Sequence, residues 1–84
     1  MNRKGYILAV SKSLETLNDL ERHILNGNVA VNNEDMDKMC RMRAVVLKIC
    51  NEANYGTYHD LESVVGLRDE IQNTVNEICE RKGN

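Results

Sequence analysis

Apolar residues recur every three or four positions in three long stretches of the chain, which is the spacing of one face of an α-helix. The first stretch covers residues 3–26 and ends at Asn26-Gly27, where glycine is typical of the residue that follows a helix. Its repeating apolar residues are Ile7, Val10, Leu14, Leu17 and Ile24. The pattern predicts a first helix over residues 3–26.

Two further helices are predicted over residues 33–54 and 58–82. Asn32 precedes the second helix and has Asp35 three residues later, which is the spacing of a capping box. Thr57 and Asp60 have the same spacing at the predicted start of the third. Gly66 lies inside that helix and costs about 1 kcal/mol relative to alanine, so a kink or break there is an alternative to a continuous helix.

The chain has 84 residues and no proline, and the short connections predict antiparallel neighbouring helices. We therefore expect one all-α domain over residues 1–84, built as a three-helix bundle or as a helical hairpin plus a third helix. The absence of Trp and Phe makes its core thin, and small domains with thin cores depend on disulfides, metals or oligomerisation.

Cysteine usage argues against the first two of these supports. Cys40, Cys50 and Cys79 are odd in number and far apart, and they have no metal-ligand spacing. We expect reduced thiols in a cytoplasmic protein, with no metal and no cofactor. Oligomerisation is then the remaining way to stabilise the thin core, and we expect a homodimer.

Charge and hydropathy restrict the class of partner. The formal net charge of −2 favours neither nucleic acid nor an anionic membrane. The apolar run near the N-terminus ends at Val10, which is too short for a signal peptide, and no stretch has the length of a membrane span. We also find no catalytic constellation, so we predict that the protein is not an enzyme.

The second predicted helix carries the widest apolar surface. Its apolar residues cover an arc of roughly 220° when each residue is placed at about 100° around the axis. One interpretation is that this helix is the central one of the three. The other is that part of the arc binds a partner protein, a role that suits the unbranched, adaptable side chain of methionine. The candidate partner-binding residues are Met36, Met39, Met42, Val46 and Ile49.

Three charged residues fall within the apolar arcs of the predicted helices: Glu21, Arg43 and Arg68. In a structural interpretation Glu21 pairs with one or both arginines, or the arginines extend to solvent. If the trio is buried, Glu21→Ala should cost about 3–5 kcal/mol of folding stability. In a functional interpretation the arginines bind an anion such as a phosphate or carboxylate, with a further contact from Gln72. In a third interpretation the three residues form a charged contact at a subunit interface.

These observations favour a small helical protein-interaction module that acts as a regulator or inhibitor by binding a surface of another protein. Compact, proline-free, asparagine-rich chains of this size suit a regulator encoded by a bacteriophage or a mobile element. The alternative is a helical bundle that binds a small anionic ligand, a nucleotide or metabolite, through Arg43 and Arg68. A nucleic-acid-binding regulator is the second alternative and ranks last because the domain is not basic.

Overall fold

The computed structural model describes residues 3–81, and this range contains three α-helices and no β-strand. The helices are α1 (Arg3–Leu25), α2 (Asn33–Asn54) and α3 (Leu61–Arg81). The predicted all-α class is therefore confirmed. Across residues 3–81, no helix is both long enough and apolar enough to cross a membrane.

The start of α2 is capped as its sequence predicts. The backbone N–H of Asp35 donates to the side-chain oxygen of Asn32 at 2.8 Å, and the backbone N–H of Asn32 donates to Oδ2 of Asp35 at 3.3 Å. These reciprocal hydrogen bonds form a capping box, which satisfies backbone N–H groups that have no partner within the helix.

Glycine ends both α1 and α2 in the same way. Gly27 and Gly56 have φ angles of +76° and +83°, a conformation that residues with a Cβ atom rarely adopt. The residue after each glycine donates a backbone hydrogen bond to a carbonyl five residues earlier, from Asn28 to His23 and from Thr57 to Glu52. This is the Schellman arrangement, and it turns the chain sharply after each helix.

Helix α3 begins at Leu61, three residues later than the sequence predicts. The backbone N–H of His59 donates to the hydroxyl of Tyr6 at 3.2 Å, and the rings of Tyr6 and Tyr58 meet edge to face with 5.2 Å between centroids. These contacts with α1 hold the connection in a non-helical conformation. Asp60, rather than Thr57, therefore immediately precedes the helix.

Past Gly66 the helix α3 continues without a break to Arg81. Of the two alternatives at Gly66, a continuous helix or a kink or break, the structure has the continuous helix. The predicted last position of α3, residue 82, lies outside the described residues.

The three helices surround one core, and α1 makes the extensive backbone contacts with both other helices. Contacts between Tyr6 and Tyr58 and between Thr16 and Gln72 show that α1 and α3 run parallel. The start of α1 lies beside the end of α2, so these two helices are antiparallel. The central position therefore belongs to α1, not to α2 as one interpretation of the sequence proposed. The largest fully buried side chains include Tyr6, Leu17, Leu20, Val46, Val64, Ile71 and Ile78.

Small buried side chains explain the close approach of α1 and α3. Ala9, Ser13 and Thr16 are all buried on α1, and small residues allow two helix backbones to approach each other. The hydroxyl of Ser13 donates to the carbonyl of Ala9 at 2.8 Å, and that of Thr74 to the carbonyl of Glu70 at 2.9 Å. The buried hydroxyl groups of Ser13 and Thr74 are thereby satisfied within their own helices.

Candidate interaction surface

The five apolar residues of α2 predicted to bind a partner do not share one surface. Met39, Met42, Val46 and Ile49 are buried in the core, whereas Met36 is 43% exposed. The middle of the wide apolar arc packs against the other helices, and only its edges reach solvent. The predicted partner surface is therefore not present at these four positions, and Met36 alone remains accessible.

A different apolar surface flanks the contact between α1 and α2. Ile7, Ser11 and Leu14 of α1 line a groove together with Cys50 and Asn54 of α2. These residues belong to two rows in which steps of four and three residues alternate, so each row follows one side of its helix. We call the two rows the α1–α2 seam. Its residues are Ile7, Ser11, Leu14, Asn18, Glu21 and Leu25 on α1, and Met36, Cys40, Arg43, Leu47, Cys50 and Asn54 on α2.

The seam is rich in exposed apolar side chains. Ile7 is 56% exposed and Leu47 is 50% exposed, and Leu25 and Met36 are also accessible. Within residues 3–81 the other large exposed hydrophobic side chains are Leu8, Val45 and Tyr55, which lie outside the seam. Four of the seven large exposed hydrophobic side chains among residues 3–81 therefore lie in the seam, which makes it a candidate interaction site.

A groove lies at one end of the seam. It has a volume of about 170 Å³ and opens to solvent between the first half of α1 and the end of α2. Its walls are mainly apolar, and they include Tyr6, Ile7, Val10, Leu14, Cys50 and Ala53. A cavity with such walls accepts an apolar side chain more readily than a charged group.

Glu21 and Arg43 face each other across the seam and are its only charged residues. Nη2 of Arg43 lies 2.7 Å from Oε1 of Glu21, although the directions of its N–H bonds do not meet the geometry of a hydrogen bond. The contact is therefore an electrostatic pair. The side chains are 29% and 48% exposed, so water screens the pair and its contribution to stability is modest.

Arg68 does not join this pair. Its Nε and Nη2 atoms donate to Oδ1 of the adjacent Asp69 at 3.2 and 3.0 Å. Gln72, one turn further along α3, accepts a long hydrogen bond of 3.4 Å from Thr16 and donates to Asn76 at 2.9 Å.

The two arginines lie on different contacts of α1. Arg43 is next to Glu21 near the end of α1, whereas Arg68 is one turn before Gln72, which contacts Thr16. Each guanidinium also has a carboxylate of its own. The structure therefore does not bring Arg43, Arg68 and Gln72 together as one anion site. Nor does any cluster of three or more His, Cys, Asp or Glu residues within residues 3–81 have the geometry to hold a metal ion.

No protein-family model, no curated protein and no solved structure matches this chain. The class that the structure defines is an all-α fold of three helices. A fold of this class supports many functions, so the function of the protein depends on its surface residues and not on the fold alone.

Sequence reasoning did not identify the seam. The signal that was available is the spacing of seven residues in each row, with Ile7, Leu14 and Glu21 on α1 and Met36, Arg43 and Cys50 on α2. Positions 11, 18, 40, 47 and 54 are uncharged as well. The pattern does not form a continuous apolar arc, because serine, asparagine and cysteine interrupt it.

Proposed function

We propose that this protein is a small three-helix bundle that works as a protein-interaction module and binds its partner through the α1–α2 seam. The observation that carries the proposal is the composition of the seam. Charged residues make up 29% of the chain, but the seam contains only Glu21 and Arg43, which neutralise each other. A surface that merely faced water would need no such depletion of charge, whereas the central part of an interface is typically depleted of charge.

A helical partner surface fits the seam best. Two antiparallel helices with residues in alternating steps of four and three present parallel ridges and a groove, and such ridges pack against the ridges of other helices. Ile7 and Leu47 would lose contact with water when the partner binds, which supplies the driving force.

The proposal is tested by placing a photo-crosslinking amino acid at one of two positions on α2. Leu47 lies in the seam and Val45 lies outside it, and their exposures are nearly equal at 50% and 46%. In native cells, illumination should give a covalent protein adduct from position 47 and not from position 45. Equal crosslinking from both positions, or none from position 47, would contradict the proposal.

A further inference from the structure

We infer that the partner bound by the α1–α2 seam is a second copy of this chain, packed seam to seam across a twofold axis. The inference rests on the proposed function and adds the identity of the partner. In this arrangement two antiparallel helix pairs form a four-helix contact, and α3 of each copy lies on the outer side.

The geometry of the seam suits self-association. A twofold axis that lies in the plane of the contact and crosses the middle of the seam at right angles to the helices places each row of one copy antiparallel to the same row of the other. Both rows span residues that are 18 apart, from Ile7 to Leu25 and from Met36 to Asn54. The two surfaces therefore match in length along their whole extent, as an isologous interface requires.

The same axis brings the groove of one copy to an exposed apolar side chain of the other. The groove lies at the end of the seam that contains the start of α1 and the end of α2. The opposite end of the seam contains the start of α2, where Met36 is exposed. Met36 of the second copy thus faces the groove, and its flexible side chain adapts to irregular apolar cavities.

Electrostatics also permit the seam to pack on itself. A surface with unbalanced charge repels a copy of itself, and like charges placed opposite each other cost several kcal/mol. Glu21 and Arg43 are already paired within each copy, and no other residue of the seam is charged. The self-contact therefore places no uncompensated charge in the interface.

The area of the seam is sufficient for a specific contact. Each row spans 18 residues, or about 27 Å along its helix, and the molecule is 18 Å wide, so the seam has a flat area of about 500 Å². Two copies together bury about 1,000 Å², which is near the lower limit for a biological interface.

Sedimentation equilibrium on the purified chain tests the inference through Leu47→Glu and its matched control Val45→Glu. We expect the wild type to be a dimer at micromolar concentration. Leu47→Glu puts two unpaired carboxylates into the contact and should raise the dissociation constant at least about tenfold. Val45→Glu introduces the same charge on the same helix outside the seam, and it should leave the dissociation constant unchanged.

A second pair of variants examines α1. Ile7→Glu lies in the seam and should weaken the dimer, whereas Leu8→Glu, on the adjacent exposed position outside the seam, should not. Helical circular dichroism and a cooperative thermal transition for each variant show that its fold is retained. Because the seam carries no net charge, the wild-type dissociation constant should also change little when the salt concentration rises tenfold.

The outcomes separate the inference from the proposed function. A wild type that is monomeric throughout the micromolar range overturns the inference, as does a dimer that Leu47→Glu and Ile7→Glu leave intact. If the purified chain is monomeric but position 47 still crosslinks to a different protein in cells, the proposed function stands and only the second copy is excluded. If position 47 crosslinks to nothing, the proposed function fails as well.

Discussion

Helix α1 meets α3 through small buried residues such as Ala9 and Ser13, but meets α2 along a row that leaves Ile7 and Leu14 beside an open groove. The backbones of α1 and α3 run close together over most of their length, whereas the backbone contact of α1 with α2 is less extensive. On the α3 side the buried hydroxyl of Ser13 donates to a carbonyl of its own helix. On the α2 side, Glu21 and Arg43 form a pair that is half open to water.

This difference shows how a short chain divides its apolar residues between folding and binding. A domain of this size buries only a modest fraction of its surface, so three helices cannot enclose every apolar side chain. Here the α1–α3 side is packed by the chain itself, while the α1–α2 seam keeps apolar residues at the surface. The contrast predicts that identical substitutions on the two sides affect different properties, folding stability on one and self-association on the other.

The largest contrast is expected between Ile71→Ala and Ile7→Ala. Ile71 is completely buried, and its truncation should lower the free energy of unfolding by about 2–5 kcal/mol because it removes apolar contacts and leaves a cavity. Ile7→Ala removes the same atoms from an exposed position in the seam and should cost less than about 1 kcal/mol. Urea denaturation at concentrations where the chain is monomeric measures both, and equal losses would refute the distinction.

Enlarging a small residue on each side gives the next contrast. Ala9 is buried where α1 approaches α3, so Ala9→Leu should destabilise by about 1–3 kcal/mol through overpacking. Ala44 is exposed on α2, and Ala44→Leu is the matched control, expected to be within about 0.5 kcal/mol of the wild type. Thermal denaturation of the two variants compares them. A neutral Ala9→Leu would mean that the α1–α3 contact has spare room.

The positions of the helices were largely predictable because local signals define them. The capping box of Asn32 and Asp35 and the glycines at positions 27 and 56 act over a few residues, and the boundaries of α1 and α2 agree with prediction within one residue. The start of α3 was not predictable in this way. It depends on contacts of Tyr58 and His59 with Tyr6, more than 50 positions away.

The site was less predictable than the helices for a related reason. A wide apolar arc indicates that part of a helix is buried, but it does not show which part faces the core. In α2 the buried part includes Met39 and Met42, so the methionines proposed for binding serve folding instead. The pairing of Glu21 with Arg43, but not with Arg68, likewise depends on how the helices rotate about their axes.

A smaller effect is expected for the ion pair between Glu21 and Arg43 in the seam. Sequence considerations gave about 3–5 kcal/mol for Glu21→Ala if the group were buried, but both side chains are partly exposed. A double-mutant cycle on Glu21 and Arg43 should therefore give a coupling energy of about 1 kcal/mol. The control cycle on the more exposed pair of Asp37 and Arg41 should give about 0.3 kcal/mol. A coupling energy at Glu21 no larger than the control would show that the pair does not stabilise the α1–α2 contact.

The smallest effect is expected at Gly66, which lies on α3 away from both contacts. A Cβ atom added there meets no heavy atom within 4 Å, so the substitution introduces no clash. Gly66→Ala should stabilise the fold by about 0.5–1 kcal/mol, because alanine loses less conformational entropy in a helix than glycine. Gly56→Ala is the control with the opposite sign, since the φ of +83° at that position strains any residue with a Cβ atom. Urea denaturation should show the gain at position 66 and the loss at position 56.

Sedimentation equilibrium should show the same dissociation constant for Gly66→Ala as for the wild type, since α3 lies outside the seam. A change in self-association with Gly66→Ala would place α3 in the interface and contradict the assignment of binding to α1 and α2.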